Sequence, residues 1–224
     1  MNSNHPIEKT PTPNIKNIIL VASGKGGVGK STVAAGLALS LSLEGYSVGL
    51  FDADIYGPSI PTLFNLINEY PVMTDHGGKP RIEPFEKLGI KVMSIGFLIN
   101  NHQPLLWRGP MASTSLKQLF NDTDWGNLDY LIIDTPPGTG DIHLTLLQQY
   151  NVAGAIVVTT PQNMALTDVQ KAIGMFFNEH VGVPVLGIVE NMAWFTPSKH
   201  SDEKYCLFGK GGGEFGRFSL CSPG

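Results

Sequence analysis

The sequence predicts a doubly wound α/β fold, with a mostly parallel β-sheet and helices on both of its faces. Three observations lead there. Short aliphatic runs alternate with longer amphipathic stretches; the runs are apolar at every position instead of every second one; and the first run passes through a glycine-rich turn directly into a helical stretch. A strand covered by helices on both sides loses the alternation of inward and outward residues, which is the pattern of a parallel sheet. Ligands of such sheets bind at the carboxyl ends of the strands.

Taken in order, the apolar runs fall at residues 18–22, 48–51, 90–94, 130–133, 155–159 and 185–189 and are predicted strands. The first helix is expected over residues 30–44, where Val33, Leu37 and Leu41 recur four apart on one face and Gly45 supplies a left-handed stop. Further helices are expected over 110–120, with Pro110 in the first turn, and over 141–149 and 166–179. Residues 1–14 carry three prolines and no apolar period, which predicts a flexible leader. Residues 15–213 then read as one domain, and residues 214–224 as a tail with no strand or helix pattern.

The chain has 224 residues, 42% of them hydrophobic and 15% charged, with a net charge of −4. Charge this sparse, against about 25% in typical soluble domains, permits a large core and argues against disorder. The slight acidity and the lack of Lys/Arg blocks argue against nucleic acid as a partner. No apolar run nears the ~18 residues that a membrane helix needs. The start, MNSNHPIEKTPTP, has no secretory pattern, so a cytoplasmic location without membrane contact is expected. The two cysteines, Cys206 and Cys221, are too few for a disulfide framework.

After the first strand comes Gly24-Lys25-Gly26-Gly27-Val28-Gly29-Lys30-Ser31-Thr32, which meets the pattern G-x-x-x-x-G-K-[ST] and opens a helix. The glycines let backbone N–H groups fold around an anionic phosphate, and the helix N-terminus adds partial positive charge. Lys30 would reach the β- and γ-phosphates and Ser31 would ligate Mg²⁺. The same loop also fits G-x-G-x-x-G through Gly24, Gly26 and Gly29, with Asp52 placed to hold a ribose, which is a dinucleotide-binding fingerprint. Lys30-Ser31 and a second acid at a strand end, Asp134 in YLIIDTPPGTGD, favour a P-loop with a Walker B carboxylate, since a dinucleotide site needs neither.

Two further patterns carry less. Gly45-Tyr46-Ser47-Val48-Gly49 fits G-x-S-x-G but runs from helix to strand, the reverse of a nucleophile elbow. The six histidines show no metal-binding spacing and are expected at the surface or in loops.

Lys25 is the extra lysine of the deviant Walker A loop. Together with DADIYGPSIP at 52–61, RGPM at 108–111, DTPPGTGD at 134–141, TTPQ at 159–162 and ENM at 190–192, it resembles the Mrp/ApbC family of ATP-dependent iron–sulfur cluster carriers, within the MinD/ParA-like P-loop group. The resemblance implies a homodimer that hydrolyses ATP slowly with Mg²⁺ and passes iron–sulfur clusters, of 4Fe–4S type, to apoproteins. It implies that Lys25 reaches across the dimer to the partner's nucleotide, that Asp54 orients the attacking water, and that Asp52 and Asp134 organise the Mg²⁺ shell. Asn191 resembles the position that hydrogen-bonds adenine. The alternative is a positioning or regulatory ATPase of the MinD/ParA type, although no C-terminal amphipathic helix is visible.

The resemblance is broken in two places. Family members carry C-x-x-C after the ENM strand, whereas this chain has TPSKHSDEKYCLFGKGGG, with Cys206 as the cluster ligand on offer. Two subunits would then present two Cys206 thiolates instead of the usual four, and the other reading of Cys206 is a packing residue beside Tyr205 and Phe208. The family pattern also continues beyond residue 213 with a further strand and helix, so a shortened copy with an unpaired sheet edge, weaker nucleotide binding and a tendency to aggregate is expected.

Overall fold

The computed structural model describes residues 9–75, 77–98, 110–177, 181–200, 202–206 and 208, the side chains of 110 and 163–167 excepted. Most of the expected leader, the whole of the expected tail, Cys221 and the Arg108-Gly109 part of RGPM lie outside those residues.

The elements run β1 (Ile15–Ser23), α1 (Lys30–Leu43), β2 (Val48–Asp52), α2 (Ile60–Leu63), β3 (Met73–Asp75), β4 (Pro80–Ile82), β5 (Phe85–Lys87), β6 (Ile90–Ser94), a 3-10 turn (Ile95–Phe97), α3 (Pro110–Asp122), β7 (Leu128–Asp134), α4 (Asp141–Gln149), β8 (Val152–Thr159), α5 (Asn163–Phe176) and β9 (Val185–Glu190). One seven-stranded sheet has the order β5-β6-β2-β7-β1-β8-β9, and β3 and β4 form a separate two-stranded ribbon. All neighbours in the large sheet are parallel except β5 and β6, which form a hairpin. Its turn, Leu88-Gly89, has φ of 52° and 80°, the mirror-image turn geometry that matches the twist of paired strands. The fold is the doubly wound, mostly parallel sheet that the sequence predicts.

Each of the six expected strands is present, and the seventh, β5, is an antiparallel edge of three residues, too short to show any period. The centre of the sheet is buried throughout: every residue of β2 is buried, and the Phe51 ring meets Phe120 and Trp125 edge-on at centroid distances of 5.6 and 5.9 Å. Gly49 lies where a Cβ would press on Leu128 and Leu131, so β2 and its neighbour approach without a side chain between them.

α1 differs in detail from expectation. Its buried face is Lys30, Ala34, Ala35 and Ala38, while Val33, Leu37 and Leu41 are only partly buried at its flank. Small residues let the helix axis lie close to the sheet, which brings its first turn down to the strand ends. The helix does stop at Gly45, at φ 92°, with the N–H of Tyr46 returning to the Leu41 carbonyl. Upstream of β1, the Thr10 N–H donates to the Gln149 carbonyl at the end of α4. No helix among the described residues is long and apolar enough to cross a membrane.

Candidate functional site

The strand order reverses direction at β1, and the crevice there collects the ends of β1, β7 and β2. In the parallel ladders Val21 is the partner of Asp134, and Asp134 of Asp52, so the two acids expected from sequence stand side by side on adjacent strands. The ladder runs on past both: Ala53 N–H donates to the Asp134 carbonyl and Thr135 N–H to the Val21 carbonyl, at 2.8 and 3.1 Å.

The loop from Gly24 to Gly29 leaves the end of β1 and turns into α1. Its glycines answer separate demands. A Cβ at Gly24 would overlap the backbone carbonyl of Asp168 in α5, and Gly27 and Gly29 adopt φ of 78° and 82°. Val28, 1% exposed, anchors the middle of the loop in the core. Gly29 is the N-cap of α1 and brings no capping side chain, and the first turn carries no acid. The N–H groups that open α1 therefore retain capacity for an anion. Gly26 and Thr32 are exposed at the mouth, and Ser31 is half-buried.

Lys30 folds inward beneath that loop. Its Nζ lies 2.5 Å from Asp134 Oδ1 and 3.7 Å from Asp54 Oδ2, with all three side chains nearly or fully buried. Burial pushes the Asp134 carboxyl above its ordinary range while Lys30, and the Ser31 hydroxyl beside it, pull it back. The other oxygen, Asp134 Oδ2, is buried with no hydrogen-bond partner. A buried carboxylate oxygen without a donor suits a cation, and Ser31 stands beside it, so the residues present fit Mg²⁺.

Asp52 and Asp54 occupy the loop after β2. Asp52 Oδ1 accepts from Asp54 N–H at 3.1 Å, and Oδ2 accepts from Ile60 N–H at 3.2 Å and Ser94 Oγ at 2.9 Å. Both oxygens are thereby committed to stapling residues 53–60 to the ends of β2 and β6. Burial, with the neighbouring Asp134 adding to it, pushes the Asp52 carboxyl up to about 7. Asp54 Oδ1 accepts from Tyr56 and Gly57 N–H, both at 3.2 Å, which leaves Oδ2 turned toward Lys30.

Two side chains reach the loop from other elements. Asn191, just past β9, donates from Nδ2 to the Val28 carbonyl at 2.9 Å, and Lys25 donates from Nζ to Gln162 Oε1 at 2.6 Å. Lys25 thus lies against its own subunit in the single chain.

Sequence reasoning missed part of the site. His143 is fully buried instead of lying at the surface or in a loop; its Nε2 meets Thr135 Oγ1 at 2.9 Å, and that hydroxyl donates to the Val21 carbonyl. Burial, with Lys30 adding to it, pulls His143 down to about 4, so the ring is neutral and donates through Nε2. Its spacing from Leu146 and Leu147 on α4 carries the signal, because all three share the buried face. Ser94 gave no sequence signal at all, since its role depends on the pairing of β6 with β2.

Cys206 lies elsewhere, directly after an isolated antiparallel bridge in which Phe195 and Tyr205 exchange backbone hydrogen bonds, both at 2.9 Å. It is free and exposed, which corrects the reading of Cys206 as a packing residue: Tyr205 and Phe208 are themselves exposed and offer no interior. Among the described residues no group of three or more His, Cys, Asp or Glu side chains is placed to hold a metal ion.

A glycine loop between strand and helix, a buried lysine under it and acids ending the two neighbouring strands define a P-loop nucleotide-binding protein. More narrowly, a family model described as ParA, NUBPL iron-transfer P-loop NTPase, matches residues 14–217, and the chain belongs to that family. It is 54% identical over 201 residues to an iron-sulfur cluster carrier protein of Aquifex aeolicus, covering 89% of this chain and 53% of that one. A carrier of the same description from Pseudomonas fragi is 52% identical over 207 residues, covering 90% of this chain and 68% of its own. The chain therefore spans about half of the length of the first relative and about two thirds of the second.

Among solved structures, a nucleotide-binding protein of Archaeoglobus fulgidus in complex with ADP superposes with a TM-score of 0.75 at 44% identity, covering 90% of this chain and 76% of that one. The cell division ATPase MinD of Pyrococcus furiosus, at 20% identity and a TM-score of 0.57, covering 84% of this chain and 78% of its own, shares the fold.

Proposed function

We propose that the protein is a homodimeric, slowly turning over Mg-ATPase that carries iron–sulfur clusters to apoproteins. The observation that bears most weight is the buried Lys30–Asp134 pair, because a lysine held in place under an open phosphate loop is prepared for an anion before one arrives. The triphosphate would bind along the N–H groups of residues 26–32 and draw Lys30 from Asp134 toward the β- and γ-phosphates. Asp134 and Ser31 would then hold Mg²⁺, which would supply charge neutralisation to the bound phosphates. Asp54 orients the water that attacks the γ-phosphorus as the bond to the β,γ-bridging oxygen breaks, ADP leaving with that oxygen. Lys25 of a second copy offsets charge at the same phosphoryl group.

In this reading Asp52 shapes the loop that carries Asp54 and acts on the Mg²⁺ shell at one remove. The cluster is cargo, and Cys206 is the thiol the described residues offer it. The relatives' names support the cargo, and the ADP complex of the Archaeoglobus protein supports the nucleotide. The test compares wild type with Lys30→Ala for ATP hydrolysis and, after anaerobic reconstitution, for iron content and transfer to an apo-ferredoxin. Turnover that requires Lys30, with nucleotide-dependent transfer, supports the proposal. Turnover without any transfer would point to a positioning or regulatory ATPase.

A further inference from the structure

We propose that Gln162 is a latch that holds Lys25 in its own subunit, so that releasing this lysine is a step in forming the active dimer. The proposal rests on the reading of Lys25 as the residue that acts on a second copy's nucleotide.

Two contacts of Lys25 and one of the residue before it fix the lysine in the single chain. Its Nζ donates to Gln162 Oε1 at 2.6 Å, and its carbonyl accepts from Ser23 Oγ at 2.9 Å. The preceding residue, Gly24, lies so close to the Asp168 carbonyl of α5 that no side chain fits between them. The start of the phosphate loop and the N-terminal half of α5 are therefore packed together, with the lysine reaching to the helix N-cap.

The position of Gln162 is informative. It is the N-cap of α5, where Ser, Thr, Asp and Asn are favoured because a short side chain can turn back onto the first N–H groups. Gln162 makes no such bond, and its amide oxygen goes to Lys25 instead. A glutamine is neutral, so it orients the ammonium without binding it as strongly as a carboxylate would. That is suited to a contact that must break once per assembly cycle. Lys25 cannot both donate to Gln162 and extend to another subunit, so the two arrangements compete, and the latch raises the protein concentration needed for assembly.

Two variants separate a latch from a purely structural role in α5. Gln162→Ala removes the acceptor; Gln162→Glu turns it into a carboxylate, which also suits a helix N-terminus. The direct readout is acylation of Lys25 by sulfo-NHS acetate in nucleotide-free protein, followed by peptide mass spectrometry with exposed Lys79 as internal reference. The second is ATP turnover per subunit against protein concentration. Gln162→Ala is expected to speed Lys25 labelling and to lower the half-maximal concentration, each by roughly threefold to tenfold, the range for one charge-assisted bond at a partly buried site. Gln162→Glu is expected to do the opposite, with the difference shrinking at high salt. Labelling that Gln162→Ala leaves unchanged, or a half-maximal concentration that moves the same way in both variants, overturns the latch alone. Full turnover in Lys25→Ala would overturn the underlying reading of Lys25 and the latch with it.

Discussion

The side chain of Asn191 and the carbonyl of Val28 are joined by a hydrogen bond of 2.9 Å that ties the end of β9 to the phosphate loop. The same amide nitrogen fills the space in which a Cβ of Gly29 would have to sit. Asn191 thus shapes the loop as well as lying where an adenine contact is expected. With Nδ2 engaged, Oδ1 is the atom it would turn to an adenine amino group.

Asn191→Ala is expected to weaken ATP and ADP equally, by about fivefold to tenfold, the worth of one loop-positioning hydrogen bond. Gly29→Ala is expected to weaken both more, since it adds left-handed strain of about 1–2 kcal/mol to the overlap with the amide. The double variant should lose less than the two single losses together, because removing Asn191 vacates the space that the new methyl group needs. Calorimetric titration with ADP and with a non-hydrolysable ATP analogue measures all three.

Lys30→Ala is expected to destabilise the nucleotide-free protein as well as to abolish binding. It leaves Asp134 and Asp54 buried without their cation, a loss of about 3–5 kcal/mol for a broken buried pair. Adding Asp134→Asn should recover much of that stability without restoring ATP binding. Urea unfolding of the single and double variants checks this, and equal midpoints for both would contradict it.

Two buried groups are expected to tilt the pH dependence of stability in opposite directions. Asp52 titrates at about 7 folded against 3.8 in the free carboxyl, so between those values the folded state binds the extra proton and stability falls as pH rises. His143 titrates at about 4 folded against 6.5 unfolded, so over that range the unfolded state binds the extra proton and stability rises with pH. In the wild type the two slopes offset each other over most of pH 4 to 6.5. Asp52→Asn should leave stability climbing with pH there, and His143→Gln should leave it falling. Unfolding midpoints at intervals across that range give both slopes. Gln retains the donor that meets Thr135, so the His143 variant should still fold.

Anaerobic reconstitution is expected to give a cluster that is lost on gel filtration, because the two subunits of the proposed dimer would bring two Cys206 thiolates where a cluster is usually held by four. Cys206→Ala should abolish what absorbance remains. A four-iron band that survives the column at full occupancy in both proteins would show that the ligands lie elsewhere.

The fold was legible because continuous apolar runs are a property of each strand alone, and the loop from Gly24 to Thr32 because its chemistry is local. The elements that went unread, α2, β3, β4 and β5, have three or four residues each, less than a period can register. In the site, Lys30 could be named from the loop motif, Asp134 from its place at a strand end and Asp54 from the family resemblance, but their convergence depends on strand order, which brings β7 between β1 and β2. His143, Ser94 and Gln162 could not be read as partners of this site, since each acts on a residue from a different element.

The two main-chain bonds that extend the ladder past the acids, from Ala53 to Asp134 and from Thr135 to Val21, join the roots of three loops in one hydrogen-bonded row. The loop bearing Asp54, the loop after Asp134 and the phosphate loop pivot from the same row of atoms. In the proposed ATPase cycle, a displacement started at the terminal phosphate would be felt at all three together, and loss of that phosphate would reach opposite sides of the crevice at once.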